Sequence, residues 1–385
     1  MLPLDAGTKC FKPRLDSRAD VSKEAKLPQT METDMAEKIR IGVLGASGYT
    51  GADLVRLALR HPNMEIAVLT ANSHAGKPMR AVFKHFSHVD LPDLVTVEAA
   101  DWGSVDAVFC GLPHGTTHKI TREIFASHPD VKIIDMSADF RLRDPAIYQE
   151  WYNVEHTATD IQPEAVYGLT EVYREEIRNA RLIACPGCYP TAVLLSLIPL
   201  ARARLIDASD IVIDAKSGVS GAGRGLKENT LFCEAGEGLS PYAVGKHRHM
   251  AEIEQEVGLA AGIADLRVNF TPHLIPMSRG ELCTSYVKLA GGKTAEDLRD
   301  QLVETYANEP FVTVAEPGVL PQTQMVRGSN YVVVNVVPDR IPGRAIVIST
   351  LDNLVKGSAG QAVQNFNLAY GIEETTGIEQ LPLFP

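Results

Sequence analysis

Two cysteines three residues apart carry the strongest chemical signal in the chain, Cys185-Pro-Gly-Cys188-Tyr-Pro-Thr-Ala192. A strand-like run, residues 181–184, ends at them. An apolar helix-like run, residues 192–200, follows, with Pro190 suited to a first helical turn. A CxxC pair can be a redox couple, half of a zinc site, or the frame of one nucleophile. The βαβ context of a redox motif near the chain start is absent, and no second Cys or His pair stands at ligand spacing. The nucleophile reading therefore leads. Cys188 is predicted at or just before a helix N-terminus, which lowers a thiol pKa and exposes the sulfur. Cys185 is predicted to end the strand, buried.

Lys246-His247-Arg248-His249-Met-Ala-Glu252 opens a helical pattern. Positions 249 and 252 fall on one face, so Glu252 is expected to touch His249, fix its tautomer and raise its basicity. Either His247 or His249 could then be the acid/base partner of Cys188. A metal reading of His-Arg-His fails because residues i and i+2 point apart on a helix and no third ligand is evident, so no metal is expected.

Gly45-Ala-Ser47-Gly48-Tyr49-Thr50-Gly51 stands between an apolar strand, residues 39–44, and a helix pattern, residues 52–60. Glycines there let the backbone turn tightly and approach a pyrophosphate held by the free N–H groups of the helix N-terminus. The spacing is GxxGxxG rather than GxGxxG, so the strand–turn–helix context carries the reading. After the second strand, residues 65–70, an NAD site would place a carboxylate near the ribose. Here the chain reads Leu-Thr-Ala-Asn-Ser73-His-Ala-Gly-Lys77. Ser73 and Lys77 suit a 2′-phosphate, so NADP is expected rather than NAD. A second glycine-rich loop, residues 216–225, offers Lys216, Ser217 and Arg224 to an anion.

These residues need a scaffold. The chain has 385 residues, long enough for two domains, with 45% hydrophobic and 22% charged residues. Net charge is −11, which argues against nucleic acid as a partner and requires local cations for anionic ligands. Six cysteines are too sparse for a disulfide framework, and no apolar run reaches membrane-spanning length. A cytoplasmic location follows as the expectation, with no membrane partner. Further strands at residues 106–111 and 131–136 alternate with helical patterns, predicting βαβ units and a parallel sheet. Longer β-branched runs at residues 210–216, 267–271, 284–289, 331–337 and 345–350 predict a mixed, largely antiparallel sheet. Residues 358–370 form a terminal helix pattern, stopped by Gly371. The fold class is thus α/β. Residues 1–37, mixed in charge and broken by prolines, read as a weakly ordered extension.

Taken together, GASGYTG (45–51), GLPHG (111–115), SADFR (137–141), PGCYPTA (186–192), SGVSGAGR (217–224), KHRHMAEIEQ (246–255) and FTPHLIPMSRG (270–280) resemble the N-acetyl-gamma-glutamyl-phosphate reductases, within the semialdehyde dehydrogenase group. The resemblance covers nearly all of residues 38–385. It implies a Rossmann-type NADP-binding domain, residues 38–187 with 355–385, and an α/β catalytic and oligomerisation domain, residues 188–354. It implies a homo-oligomer, dimer or tetramer, that reduces N-acetyl-gamma-glutamyl phosphate to the semialdehyde through a Cys188 thioester, in arginine biosynthesis. Arg141, Ser217 and Arg224 become candidates for the substrate's anionic groups, and Gly357 and Gly360 for the cofactor. Three positions depart from the family pattern: Cys185 where Asn is common, and Thr170 and Ala251 where Pro is usual. Cys185 leaves open a regulatory disulfide with Cys188. The related aminoadipyl-phosphate reductase of lysine biosynthesis, one methylene longer in its substrate, is the close alternative. A non-catalytic NADP-binding protein is the distant one.

Overall fold

The structure is a computed structural model and describes residues 37–385. The extension read at residues 1–37 lies almost wholly outside the described residues.

Two seven-stranded sheets organise the chain. The first is built from β1 (Ile39–Leu44), β2 (Met64–Thr70), β3 (Leu94–Val95), β4 (Ala107–Cys110), β5 (Lys132–Asp135), β6 (Ala165–Tyr167) and β7 (Leu182–Ala184). Its order is β3-β2-β1-β4-β5-β7-β6, and every pairing is parallel. Its strands hold Ile, Val and Leu in their buried stretches, with Arg40, Glu65 and Lys132 near the strand starts, because helices cover both faces. Those helices are α1 (Tyr49–Ala58), the short α2 (Met79–Val82), α3 (Thr117–Ser127), α4 (Pro145–Tyr152) and α5 (Thr170–Arg178). The order reverses at β1, which has β2 on one side and β4 on the other, and ligands of such sheets bind at that switch.

α6 (Cys188–Arg202) leads into the second sheet: β8 (Ile206–Gly218), β9 (Ser240–Pro241), β10 (Asn269–Ile275), β11 (Glu281–Leu289), β12 (Val312–Val314), β13 (Val332–Pro338) and β14 (Arg344–Leu351). The order β12-β13-β14-β11-β8-β10-β9 is mixed: β10–β8 and β12–β13 are parallel and the other pairs antiparallel. β10 runs four residues past the expected end at Thr271, through Pro272. Tyr242 N–H donates to the Pro272 carbonyl at 3.1 Å, so the missing proline donor also faces two-residue β9, where little pairing is lost. α7 (Phe232–Ala235), α8 (His249–Ala261) and α9 (Ala295–Tyr306) complete this half. One hydrophobic core joins α6 and α8 to the sheet, with Leu194, Leu197, Ile253, Val257, Ile213 and Val347 all buried.

α10 (Gly360–Ala369) returns to the first sheet. Its Val363 and Phe366 share a core with Ile41, Phe109 and Ile134. Cys188 begins the passage from the first sheet to the second, and Gly357 begins the return. The nucleophile candidate therefore sits where the two sheets meet.

Candidate active site

Strand β7 ends at Ala184 and α6 begins at Cys188, so the elbow is Cys185-Pro186-Gly187. The helix starts at Cys188, as the elbow's sequence predicts. Pro190 still falls in the first turn, where a missing N–H costs nothing. Gly187 caps the helix without any side-chain hydrogen bond, which leaves the first N–H groups pointing outward. The Tyr189 N–H is directed at the Cys188 sulfur.

The elbow's backbone is held from three sides. Glu252, on α8 and buried, accepts the Gly187 N–H at 2.9 Å and the Tyr167 hydroxyl at 2.6 Å. Arg141 donates to the Cys185 carbonyl at 2.7 Å, to the Met136 carbonyl at 3.0 Å and to Glu252 at 3.4 Å. This corrects two expectations. Glu252 is not the partner of His249; its oxygens are taken by the elbow, Tyr167 and Arg141. Arg141 is buried and braces the elbow with its guanidinium nitrogens.

Cys188 departs from expectation in its titration as well. Burial and the neighbouring Glu281 carboxyl push its thiol well above the ordinary value, against the single favourable contact from Tyr189 N–H. A helix N-terminus supplies a partial positive charge, and loss of hydration outweighs it here. Cys185 is buried and pushed up to about 12, chiefly by burial. Its sulfur accepts from Asn365 Nδ2 at 3.5 Å and packs with the first sheet, whereas Cys188 packs against the second. Both thiols are free and face different cores. Asn365 also accepts from the Thr170 hydroxyl at 2.7 Å. Two of the three departures from the family pattern thus meet on one side chain of α10.

The two histidines separate by geometry. The backbone N–H of His249 donates to His247 Nδ1 at 3.2 Å, so His247 holds the first N–H of α8, ahead of the N-cap residue Arg248. The His247 ring lies edge-on among Tyr189, Tyr242 and His249, and burial holds its pKa down to about 4. The His249 imidazole occupies the space that a side chain at Gly187 would need. Its Nδ1 is buried without a partner. Burial, then His247, Arg141 and Arg248, hold His249 well below the usual range, so it is neutral at physiological pH. Arg248 is paired with His114 and lies over the Tyr152 ring.

At the β1–β4 switch the backbone is shaped for a dinucleotide. Gly45 has φ +79°, and a Cβ there would stand 2.7 Å from the Gly111 carbonyl. Gly48 caps α1 with no side-chain hydrogen bond, and a Cβ there would meet only the Gly45 carbonyl, at 3.5 Å. Helix N–H groups with no side-chain cap fit a pyrophosphate. Ser47, Tyr49 and Thr50 complete this turn, and Gly51 is buried against the Gly45 carbonyl. Ser73 and Lys77 are exposed on the loop after β2.

Arg224 reaches the same turn: it donates to the Ser47 carbonyl at 3.0 Å and lies over Phe83 at 4.4 Å. The structure thus places it on the dinucleotide side rather than with Arg141. Ser217 is buried, donating to the Gly218 carbonyl at 3.1 Å. A Cβ on Gly357 would stand 2.8 Å from Cys188 Cβ, while Gly360 packs against Asn330 and Val355. Among the described residues no cluster of His, Cys, Asp and Glu could hold a metal ion.

Residues 40–180 match the family described as "Semialdehyde dehydrogenase, NAD binding domain" and residues 188–353 "Semialdehyde dehydrogenase, dimerisation domain". The N-acetyl-gamma-glutamyl-phosphate reductase of Afipia carboxidovorans is 54% identical over 90% of this chain and 99% of its own length. The chain belongs to this reductase family. The probable chloroplastic member of Arabidopsis thaliana is 55% identical over 90% of this chain and 86% of its own length. Among solved structures, aspartate semialdehyde dehydrogenase II of Vibrio cholerae aligns with a TM-score of 0.67 at 20% identity, covering 87% of this chain and 99% of that one. That likeness is one of fold. An aspartate semialdehyde dehydrogenase from Candida albicans, solved with NADP, aligns at 0.62 and 17% identity, over 87% of this chain and 99% of that one.

Proposed function

We propose that this chain reduces N-acetyl-gamma-glutamyl phosphate to N-acetyl-L-glutamate 5-semialdehyde and phosphate, with NADPH as reductant and Cys188 as nucleophile. The observation that carries it is a free thiol at an uncapped helix N-terminus, inside a family whose members bear the name of this reaction.

The substrate is an activated acyl group, so the protein has to supply a sulfur nucleophile and steady the oxygen that gains charge. Cys188 attacks the acyl carbon, phosphate departs, and a thioester remains on the sulfur. The outward N–H groups at the start of α6 are the donors that would steady that oxygen. His249 is the acid/base residue of this reading. Its neutral ring over Gly187 can take or return a proton at the elbow, while His247 holds the helix start. Glu252 and Arg141 are positioning residues, since both act on the elbow's backbone.

NADPH, when bound, supplies the hydride. Gly45, Ser47, Gly48, Tyr49, Thr50 and Gly51 would hold its pyrophosphate. Ser73 and Lys77 would hold its 2′-phosphate, which favours NADP over NAD because no carboxylate stands between Thr70 and Lys77. Arg224 joins this group through Ser47. The domains run as residues 38–187 with 355–385, and 188–354. A reducing, cytoplasmic setting suits the free thiols of the site.

The test is phosphate-dependent reduction of NADP by N-acetylglutamate semialdehyde, the reverse reaction. Cys188→Ser is expected to abolish it and Cys185→Ser to retain it. Turnover that survives Cys188→Ser would remove the thioester route. Tight NADPH binding with no turnover in the unmodified protein would remove the reaction itself.

A further inference from the structure

One guanidinium, on the connection from β10 to β11, ties the dinucleotide helix to the second sheet. Arg279 donates to Asp53 on α1, from Nη2 to Oδ1 at 2.7 Å and from Nη1 to Oδ2 at 3.3 Å. The same Nη1 donates to Oδ1 of Asp352, the residue after β14, at 3.4 Å. Both carboxylates are buried. Arg56, further along α1, donates to Asp53 Oδ1 at 2.9 Å. Burial alone would push the Asp53 carboxyl up, but the hydrogen bonds from Arg279 and Arg56 outweigh it and hold it below the usual range.

Each carboxylate reaches one half of the candidate site. Asp53 stands two residues after Gly51, in the first half of the helix whose N-terminus faces the proposed pyrophosphate position. Asp352 shapes the turn behind the nucleophile. Its Oδ1 accepts the N–H groups of Leu354 at 2.9 Å and Val355 at 3.2 Å, and its backbone carbonyl accepts that of Gly357 at 3.0 Å. Gly357 backs onto Cys188, where a Cβ would stand 2.8 Å from the cysteine's own. A second set of bonds runs beside the first. Gly280 N–H donates to Asn353 Oδ1 at 2.9 Å, and Asn353 Nδ2 donates to Ser220 Oγ at 2.9 Å. Ser220 lies in the glycine-rich loop whose Arg224 donates to the Ser47 carbonyl. The planar fork of an arginine can serve two carboxylates at once, which a lysine ammonium on its flexible stem does less rigidly.

We propose that Arg279 is a positioning residue that couples the dinucleotide site to the nucleophile: its guanidinium fixes α1 against the Asp352–Gly357 turn, so that filling the site at residues 45–51 shifts the packing at Cys188. Chains of hydrogen bonds between packed elements carry coupling of this kind. Arg279 acts through Asp53 and Asp352 and touches no reacting atom. The inference rests on residues 45–51 as the cofactor site and on Cys188 as the nucleophile.

The test follows alkylation of Cys188 by iodoacetamide in the full chain. The Cys188 peptide is read by mass spectrometry, because Cys233 is exposed. The probe is 2′-phospho-ADP-ribose, which carries the pyrophosphate and the 2′-phosphate but no nicotinamide, so a response is not shielding of the sulfur by that ring. A saturating probe is expected to change the alkylation rate of the unmodified protein at least about threefold. In Arg279→Met the probe is expected to bind within about threefold of its original dissociation constant, by calorimetry, while the rate no longer responds to it. Arg279→Lys keeps the charge without the fork and is expected to lose at least about half of the response. The double variant Asp53→Asn, Arg279→Met removes the buried pair together, so it is expected to regain Tm over Arg279→Met without regaining the response. A Met or Lys variant with the full response overturns the proposal. So does an unmodified protein that shows none, or a double variant that regains response and Tm together, which marks a packing role. Phosphate-dependent turnover of the unmodified protein is measured in parallel. Its absence beside an intact alkylation response overturns the reading of the reaction and leaves the coupling standing.

Discussion

At the scale of single residues, the site works by separating charge from the reacting atoms. Glu252 and Arg141 are ionisable, yet both act on the elbow's backbone. Removing one partner of such a buried pair costs about 3–5 kcal/mol because it strands the other. Glu252→Gln is therefore expected to lower Tm by several degrees and to lower kcat more than KM, since the elbow loosens before any substrate contact is lost. Unchanged Tm and kcat would show that the elbow holds itself. The histidines supply a second prediction. His247 titrates near 6.5 when unfolded and about 4 when folded, because burial opposes its charge. The unfolded state then binds more protons between those values, so stability falls as pH drops from about 6.5 to about 4. His249 and His114 are shifted the same way. His247→Asn keeps an acceptor for the His249 N–H and removes one titration. Its Tm is expected to fall less steeply over this window than that of the unmodified protein, by differential scanning fluorimetry. Parallel slopes would assign the acid loss elsewhere.

At the scale of elements, legibility followed burial. Five strands of the first sheet, β1, β2, β4, β5 and β7, are legible in the sequence because both faces are covered, so each carries a short buried run of Ile, Val, Leu or Ala. β3 and β9, two residues each, carry no periodicity and could not be read. The Cys188 elbow and the His249 helix were legible because glycine and proline punctuate them. Glu281 was not. Its strand alternates Glu281, Cys283, Ser285 on one face with Leu282, Thr284, Tyr286 on the other. Hydrophobicity alone points the second set inward, yet the first is buried. The same logic hid the role of Glu252: spacing puts it on the His249 face, but only the tertiary fold brings Gly187 and Tyr167 to its oxygens. Gly357 gives a prediction at this scale. Its position turns the chain from the second sheet toward α10 and presses on Cys188. Overpacking a full core costs about 1–3 kcal/mol. Gly357→Ala is expected to lower Tm and to slow Cys188 alkylation several-fold, since α6 must shift to admit the methyl group. The loop after β2 gives another. Lys77→Glu is expected to raise KM for NADPH at least tenfold and to leave KM for NADH within about threefold. Equal changes for both cofactors would remove Lys77 from the 2′-phosphate site.

At the scale of the whole molecule, the second sheet has an unequal pair of faces. One packs on α6 and the core of Leu194, Leu197 and Ile253. The other carries a row of half-buried apolar residues: Val212 on β8, Tyr286 on β11, Ile346 on β14 and Val337 on β13 stand side by side in the register. A row of this kind on a sheet face is covered in a stable protein. The family description of residues 188–353 as a dimerisation domain supports a second copy of the chain as the cover. The double substitution Tyr286→Asp, Ile346→Asp is then expected to leave a monomer by light scattering, where the unmodified protein runs at twice the chain mass or a higher multiple. The consequence reaches the site through β11. Tyr286 stands on the half-buried face of β11, while Glu281 and Cys283, on the same strand, are buried on the other. A strand freed on one face can twist and shift on the other, so the monomer is expected to lose turnover along with Tm while still binding NADPH. A monomer with full kcat would mean that the sheet keeps its register unaided and that assembly serves something other than the nucleophile.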